Sequence, residues 1–325
     1  MKFAVKPVGR LGVFALSSAL ALSACAQEEA PAAEEAAVPG EIVLEGERLF
    51  PESLTSDATG NIYVGSNPGL IFRASVGSET APVWIEPNEE NGLSSVFGVL
   101  ADDANGLLWA CTNPPMGDAG EVAIKTFSLE DASFQGSYPF PAGGPAMCND
   151  MSIAPNGDVF ASEMLGGRIM RLPAGGEAFE EWAAHEEFAS IDGIAFAEDG
   201  TLYGNAIQRN SLFRVDMDEG GNFAGVTMLE TSQEMGGPDG LRLVSGNTFL
   251  QSEGNSGAIT LVEIEGDVAT ITTLAEGIDY ASSVTAYDGR AYYPEGKLTF
   301  LFDPNRQMED PGDFRVYNVA IPADE

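Results

Sequence analysis

Four short stretches of the 325-residue sequence place a carboxylate or an amide immediately ahead of an apolar, β-prone run. They read Pro51-Glu52-Ser53, Cys148-Asn149-Asp150, Ile191-Asp192-Gly193 and Pro238-Asp239-Gly240. Val96-Phe97-Gly98 and Ser282-Ser283-Val284 stand at two further equivalent points, and no Lys, Arg or His is among the six triplets. Oxygen donors that converge without a positive side chain require a cation, because unpaired buried carboxylates are costly and hard divalent ions are bound through oxygen. The alternative is that each acid caps a β-turn through an Asx hydrogen bond and faces water. The two readings separate on whether the chain brings these positions together.

The elements that would do so recur along the chain. Each triplet leads into a hairpin made of a short apolar run, a Gly-containing turn and a second β-rich run. The six turn glycines, Gly60, Gly106, Gly157, Gly200, Gly246 and Gly289, are separated by 46, 51, 43, 46 and 43 residues. That period is close to one four-stranded propeller blade. A second β pair follows most hairpins, as in the runs around Ile71, Ile169 and Phe213. Helical periodicity is confined to a short acidic segment around Trp182, which excludes α/β alternatives built on long amphipathic helices. The sequence therefore predicts an all-β fold, a six-bladed β-propeller with four-stranded blades, from about Glu41 to Pro322. A strand near residues 42–49 is expected to close the ring against the last blade, removing the open edge. In a propeller the first strand of each blade lines the central channel, so the six triplets should face one another at one mouth.

At these positions the sequence resembles the regucalcin (senescence marker protein) and gluconolactonase family of six-bladed propellers, with paraoxonases and diisopropyl fluorophosphatase as distant relatives. The resemblance covers the whole domain and rests on Glu52, the Asn149-Asp150 pair, Asp192 and Asp239, spaced one blade apart. It implies one divalent cation, usually calcium, held by Glu52, Asp192 and Asp239, with Asn149 either a ligand or a substrate contact. It also implies hydrolysis of a lactone or ester, with Asp239 or Asp192 taking the proton of attacking water. Asp192 departs from the family, which usually has asparagine there. A third carboxylate should tighten a hard cation while weakening its pull on a substrate oxygen. A non-enzymatic propeller that binds a ligand or partner around a structural ion is the rival expectation.

The ends of the returning strands, Ser66-Asn67, Thr112-Asn113, Glu163, Asn205, Glu253 and Glu295, predict a polar pocket wall suited to a small oxygenated substrate, with Phe97 and Met151 adding an apolar patch. His185 is the only histidine and falls between blades, away from the expected mouth, so no Ser/His/Asp triad can form. With 50 acidic and 15 basic residues the net charge is -35. Such a charge repels nucleic acid and anionic membranes.

Residues 1–25 combine a basic start, an apolar run from Leu11 and Leu22-Ser23-Ala24-Cys25, which together make an export signal. The closing tetrapeptide resembles a bacterial lipobox, so Cys25 is expected to be acylated and to provide the chain's contact with the membrane. Ala26 and Gln27 imply sorting to the outer membrane, facing the periplasm. Residues 26–40 are rich in Ala, Glu and Pro and should form a flexible tether, leaving 41–325 as the propeller, expected to be a monomer. Cys111 and Cys148 can pair in an oxidising compartment or remain buried thiols.

Overall fold

A computed structural model describes residues 40–323, except 117 and 143. The export signal, Cys25 and the tether up to residue 39 lie outside the described residues. Among those described, no helix is long and apolar enough to cross a membrane.

Six antiparallel sheets form the propeller. Blade one runs through Pro51–Ser56, Ile62–Ser66, Ile71–Ala74 and Val83–Ile85. Blades two to five begin on Ser95–Asp102, Cys148–Ile153, Ile191–Phe196 and Pro238–Ser245. Blade six consists of Thr285–Tyr287, Arg290–Pro294, Phe314–Ala320 and the N-terminal strand Glu41–Leu44, which pairs antiparallel with Phe314–Ala320. The ring is thus closed by joining the two ends of the domain, as the sequence predicts. The first strands contact one another in order around the axis.

The turn glycines explain why the repeat was readable. All six have positive φ, between 53° and 88°, a region that side chains with a Cβ disfavour. The strands then bury side chains against the blades on either side, so that second strands such as Ile62–Ser66, Val159–Glu163 and Leu202–Ala206 are buried along their whole length. Six apolar clusters result among the described residues, one at each blade junction. Between blades three and four, for example, Phe160 and Ile169 pack with Ile194, Leu202 and Phe213. The segment around Trp182 corrects the helical expectation, because Glu180–Ala184 is the outer strand of blade three. Trp182 packs edge-on to Phe160, a contact a strand provides as readily as a helix. The one α-helix described is the single turn Thr299–Phe302.

Cys111 and Cys148 form a disulfide with a Cα separation of 5.5 Å, tying the second strand of blade two to the first strand of blade three. The bridge closes a separation of 37 residues. A crosslink of that span restricts the unfolded chain, so reduction is expected to lower the unfolding free energy by about 2–4 kcal/mol. Urea denaturation of oxidised and reduced protein measures this, and superimposable curves would show that the bridge contributes nothing.

Candidate functional site

The inner strands carry the same irregularity at the same height. In blades one to five the pairing of first and second strands shifts register at the start of the first strand, at Pro51/Ser53, Val96/Val99, Cys148/Met151, Ile191/Ile194 and Pro238/Leu241. Each shift is a β-bulge, which adds one residue and re-aims its side chain. Glu52, Phe97, Asn149, Asp192 and Asp239 occupy these bulges. Crowding at the axis accounts for the glycines that follow. A Cβ at Gly98 or Gly193 would collide with the carbonyl oxygen of Asn149 or Asp239 on the next blade.

Three bulges are pinned by a side chain twelve residues further on. Asp150 N donates to Ser162 Oγ at 2.9 Å, Gly193 N to Asn205 Oδ1 at 2.8 Å and Gly240 N to Ser252 Oγ at 2.9 Å. Ser162 Oγ in turn donates to the Asp192 carbonyl at 2.6 Å, coupling blade three to blade four. The repeated offset of twelve is a signal the sequence reading missed.

Glu52, Asn149, Asp192 and Asp239 line one cavity of about 270 Å³ at the mouth. Beneath it the same four residues, with Phe97, Ser283, Asp150 and Arg242, border a void of about 10 Å³, on the scale of a single water or ion. Asp192 and Asp239 are buried and hydrogen-bonded to each other; Glu52 and Asn149 are half-buried. Burial, followed by the charge of Asp192, pushes the Glu52 carboxyl up to about 8. Burial and then Asp150 raise Asp192, while burial, Asp192 and Glu52 hold Asp239 well above the usual carboxylate range. Tyr280, another residue the sequence reading missed, also lines the cavity and is kept protonated by burial and by the three acids.

The donors are all oxygen, which suits a hard cation. Among the described residues no group of three or more His, Cys, Asp or Glu side chains is arranged to hold a metal ion. Asn149 stands beside the three carboxylates and is hydrogen-bonded to Asp192.

Asp150 does not line the mouth cavity and borders only the small void beneath it. It accepts from Arg242 Nη1 at 2.6 Å and Nη2 at 2.7 Å, and from Ile194 N at 3.1 Å. Arg242, from blade five, reaches blade three and also donates to the carbonyls of Leu241 and Val99. It borders both the small void and a cavity of about 450 Å³ at the opposite mouth, so the ion pair plugs the channel between them. The triplets contain no basic residue, yet one stands three positions beyond Asp239.

The expected polar wall is not what lines the cavity. Thr112 Oγ1 accepts from Ser94 N, and Asn113 exchanges two hydrogen bonds with the Cys148 backbone, at 2.8 and 2.9 Å. Glu163 accepts from the amides of Met147, Leu165 and Gly166 and from Arg168, and Glu253 accepts from Gly236 N and Ser256 Oγ. Asn205 holds the Gly193 bulge. These side chains are buried and anchor loop backbone, because amides turned inward at the loop ends need acceptors. Met151 packs into the core beside Trp109, leaving Phe97 at the mouth. His185 lies in a shallow groove that shares Met164 and Gln208 with the mouth cavity, nearer than the sequence suggests. Its Nδ1 accepts from Glu187 N.

No protein-family model matches the chain, and no curated protein matches it in sequence. Solved structures match its fold. The Mala s 1 allergen of Malassezia sympodialis is 16% identical with a TM-score of 0.64, covering 87% of this chain and 96% of its own. A protein assigned as a gluconolactonase is 14% identical with a TM-score of 0.59, covering 86% and 92%. Virginiamycin B lyase of Staphylococcus aureus is 12% identical with a TM-score of 0.57, covering 86% and 98%. At these identities the likeness is one of fold, and propellers host unrelated activities.

Two predictions follow from the electrostatics. Arg242→Met strands the Asp150 carboxylate and should cost about 3–5 kcal/mol, most of it recovered in the double variant with Asp150→Asn. Urea denaturation reads both, and an unaffected single variant would show that the pair carries no load. In a chelating buffer, Glu52 keeps its proton up to about pH 8 when folded but only to about 4.3 when unfolded. Its contribution is whole below the unfolded value and is lost as pH rises through the folded one. Melting temperature should therefore fall between about pH 5 and 9, and Glu52→Gln should flatten the fall. A melting temperature that rises over this range would overturn the assignment.

Proposed function

We propose that the chain is a divalent-cation-dependent hydrolase of a lactone or ester, with calcium the expected ion, working in the cell envelope from a lipid anchor at Cys25. One observation carries this reading: four oxygen-bearing side chains from four blades converge on the floor of a single cavity. Held by Glu52, Asn149, Asp192 and Asp239, the cation would supply charge to polarise the carbonyl. Asp192 or Asp239 would accept a proton from water as the water oxygen bonds to the acyl carbon. The acyl–oxygen bond then breaks, and the proton passes to the departing alkoxide, giving an acid and an alcohol. Three acids in one site favour water over an anionic nucleophile and repel the carboxylate product. The gluconolactonase assignment of one fold neighbour is consistent with this chemistry.

The expected outcome is one calcium bound per chain, with hydrolysis abolished by a chelator and by Glu52→Gln or Asp239→Asn. Asp192→Asn is the informative variant. It should weaken cation affinity yet keep or raise turnover, since a less neutralised cation polarises more strongly. If Asp192 is instead the base, the variant keeps the ion and loses about a hundredfold or more in rate. Elemental analysis beside kinetics on a lactone panel reads these outcomes. Protein that binds no cation and shows no chelator-sensitive activity leaves a ligand-binding propeller, in which the Asp192–Asp239 hydrogen bond is the resting arrangement.

A further inference from the structure

The geometry points to an uncharged carbonyl ligand with an apolar tail, rather than a polyhydroxylated lactone, as what the mouth cavity accepts. The placement of the carbonyl at the acidic floor rests on the hydrolytic reading above; the nature of the tail rests on the wall. Above the floor the cavity is lined by Met116, Met147, Met164, Ile207, Leu298 and Phe302, joined by the Phe97 ring. Gln208, Asn255 and Tyr280 are the polar side chains lining it outside the floor, and no Lys or Arg lines it. A sugar lactone would bring several hydroxyls to a wall with few partners, and each unpaired group costs free energy on desolvation. An anionic ligand would meet the acids of Glu52, Asp192 and Asp239 with no positive side chain on the wall.

The backbone that carries Met147 and Met164 is fixed, although their side chains are adaptable. Glu163 receives the amides of Met147 and Leu165, and Met164 N donates to the Met147 carbonyl at 3.0 Å. The thioether chains can then repack around tails of differing shape. At the rim Met116 and Phe302 are 62% and 42% exposed, and Leu165, beside Met164, is 56% exposed. Large apolar side chains left in water around a concave mouth mark a surface that a ligand covers. The buried polar residues of the second-strand ends, Thr112, Asn113, Glu163, Asn205 and Glu253, do not line this cavity.

Two lactams that resist hydrolysis separate the possibilities: 6-hexylpiperidin-2-one and gluconolactam, titrated calorimetrically into the calcium-supplemented protein. The hexyl lactam should bind at least about tenfold more tightly, consistent with burial of several methylenes. Met164→Ser with Ile207→Ser should reduce that ratio about tenfold, whereas Met164→Leu should preserve it. Equal or tighter binding of gluconolactam, or no binding of the hexyl lactam, overturns the inference. Hydrolysis of the matching lactones is followed in parallel. If the hexyl lactam binds as expected but neither lactone is cleaved, the hydrolytic reading falls and the ligand class stands.

Discussion

The ion pair between Arg242 and Asp150 is the contact on which the site depends. It lies across the channel and joins blade five to blade three, with further hydrogen bonds to the backbone of blades two and four. A six-bladed ring would otherwise leave an open pore, and water in that pore would solvate the acids above it. Plugged, the mouth has a floor shut off from water on the channel side, where carboxylates interact strongly and resist ionisation. The plug also settles the charge. Four acids, Glu52, Asp150, Asp192 and Asp239, meet one guanidinium, which takes Asp150 and leaves three for the mouth.

What stands above the plug follows from crowding among the inner strands. Their backbones approach so closely that glycine is required beside two of the bulged residues, at Gly98 and Gly193, and each bulge re-aims the side chain it carries. Ser162, Asn205 and Ser252 satisfy the amides that the bulges free, so the distortion is supported from the second strand. The ring is not symmetric. Blade two contributes Phe97 and blade six the short Ser282-Ser283 segment, where Ser283 Oγ accepts from Leu54 N and Ser282 Oγ donates to the Pro51 carbonyl. An acidic floor with an aromatic flank is the result.

The same logic moves polarity away from the wall. Loop amides at the ends of the strands need acceptors, and Glu163 and Glu253 are drawn inward to meet them. Side chains not engaged in this way, chiefly methionines and other apolar groups on the loops, are left to face the cavity. Fold neighbours that include a lyase, an assigned gluconolactonase and an allergen share the ring, so any difference in chemistry lies in such loops and bulges.

The sequence by itself determined the ring: glycine at a regular spacing forces six turns, and alternating apolar runs between them can be buried only by stacking blades. It also marked Glu52, Asn149, Asp192 and Asp239, because a polar residue ahead of a channel strand stands out against an apolar pattern. Only the tertiary structure decided which of these acids share the mouth. Asn149 and Asp150 are adjacent in the chain, yet the bulge turns one toward the cavity and the other toward Arg242. No local pattern encodes a partner on a blade 92 residues away. The polar residues at the strand ends were legible as conserving a place in the repeat, but their direction was set by amides on loops that the sequence leaves unplaced. The wall likewise came from loop residues, Met147, Met164 and Ile207, whose convergence depends on ring closure rather than on any spacing along the chain.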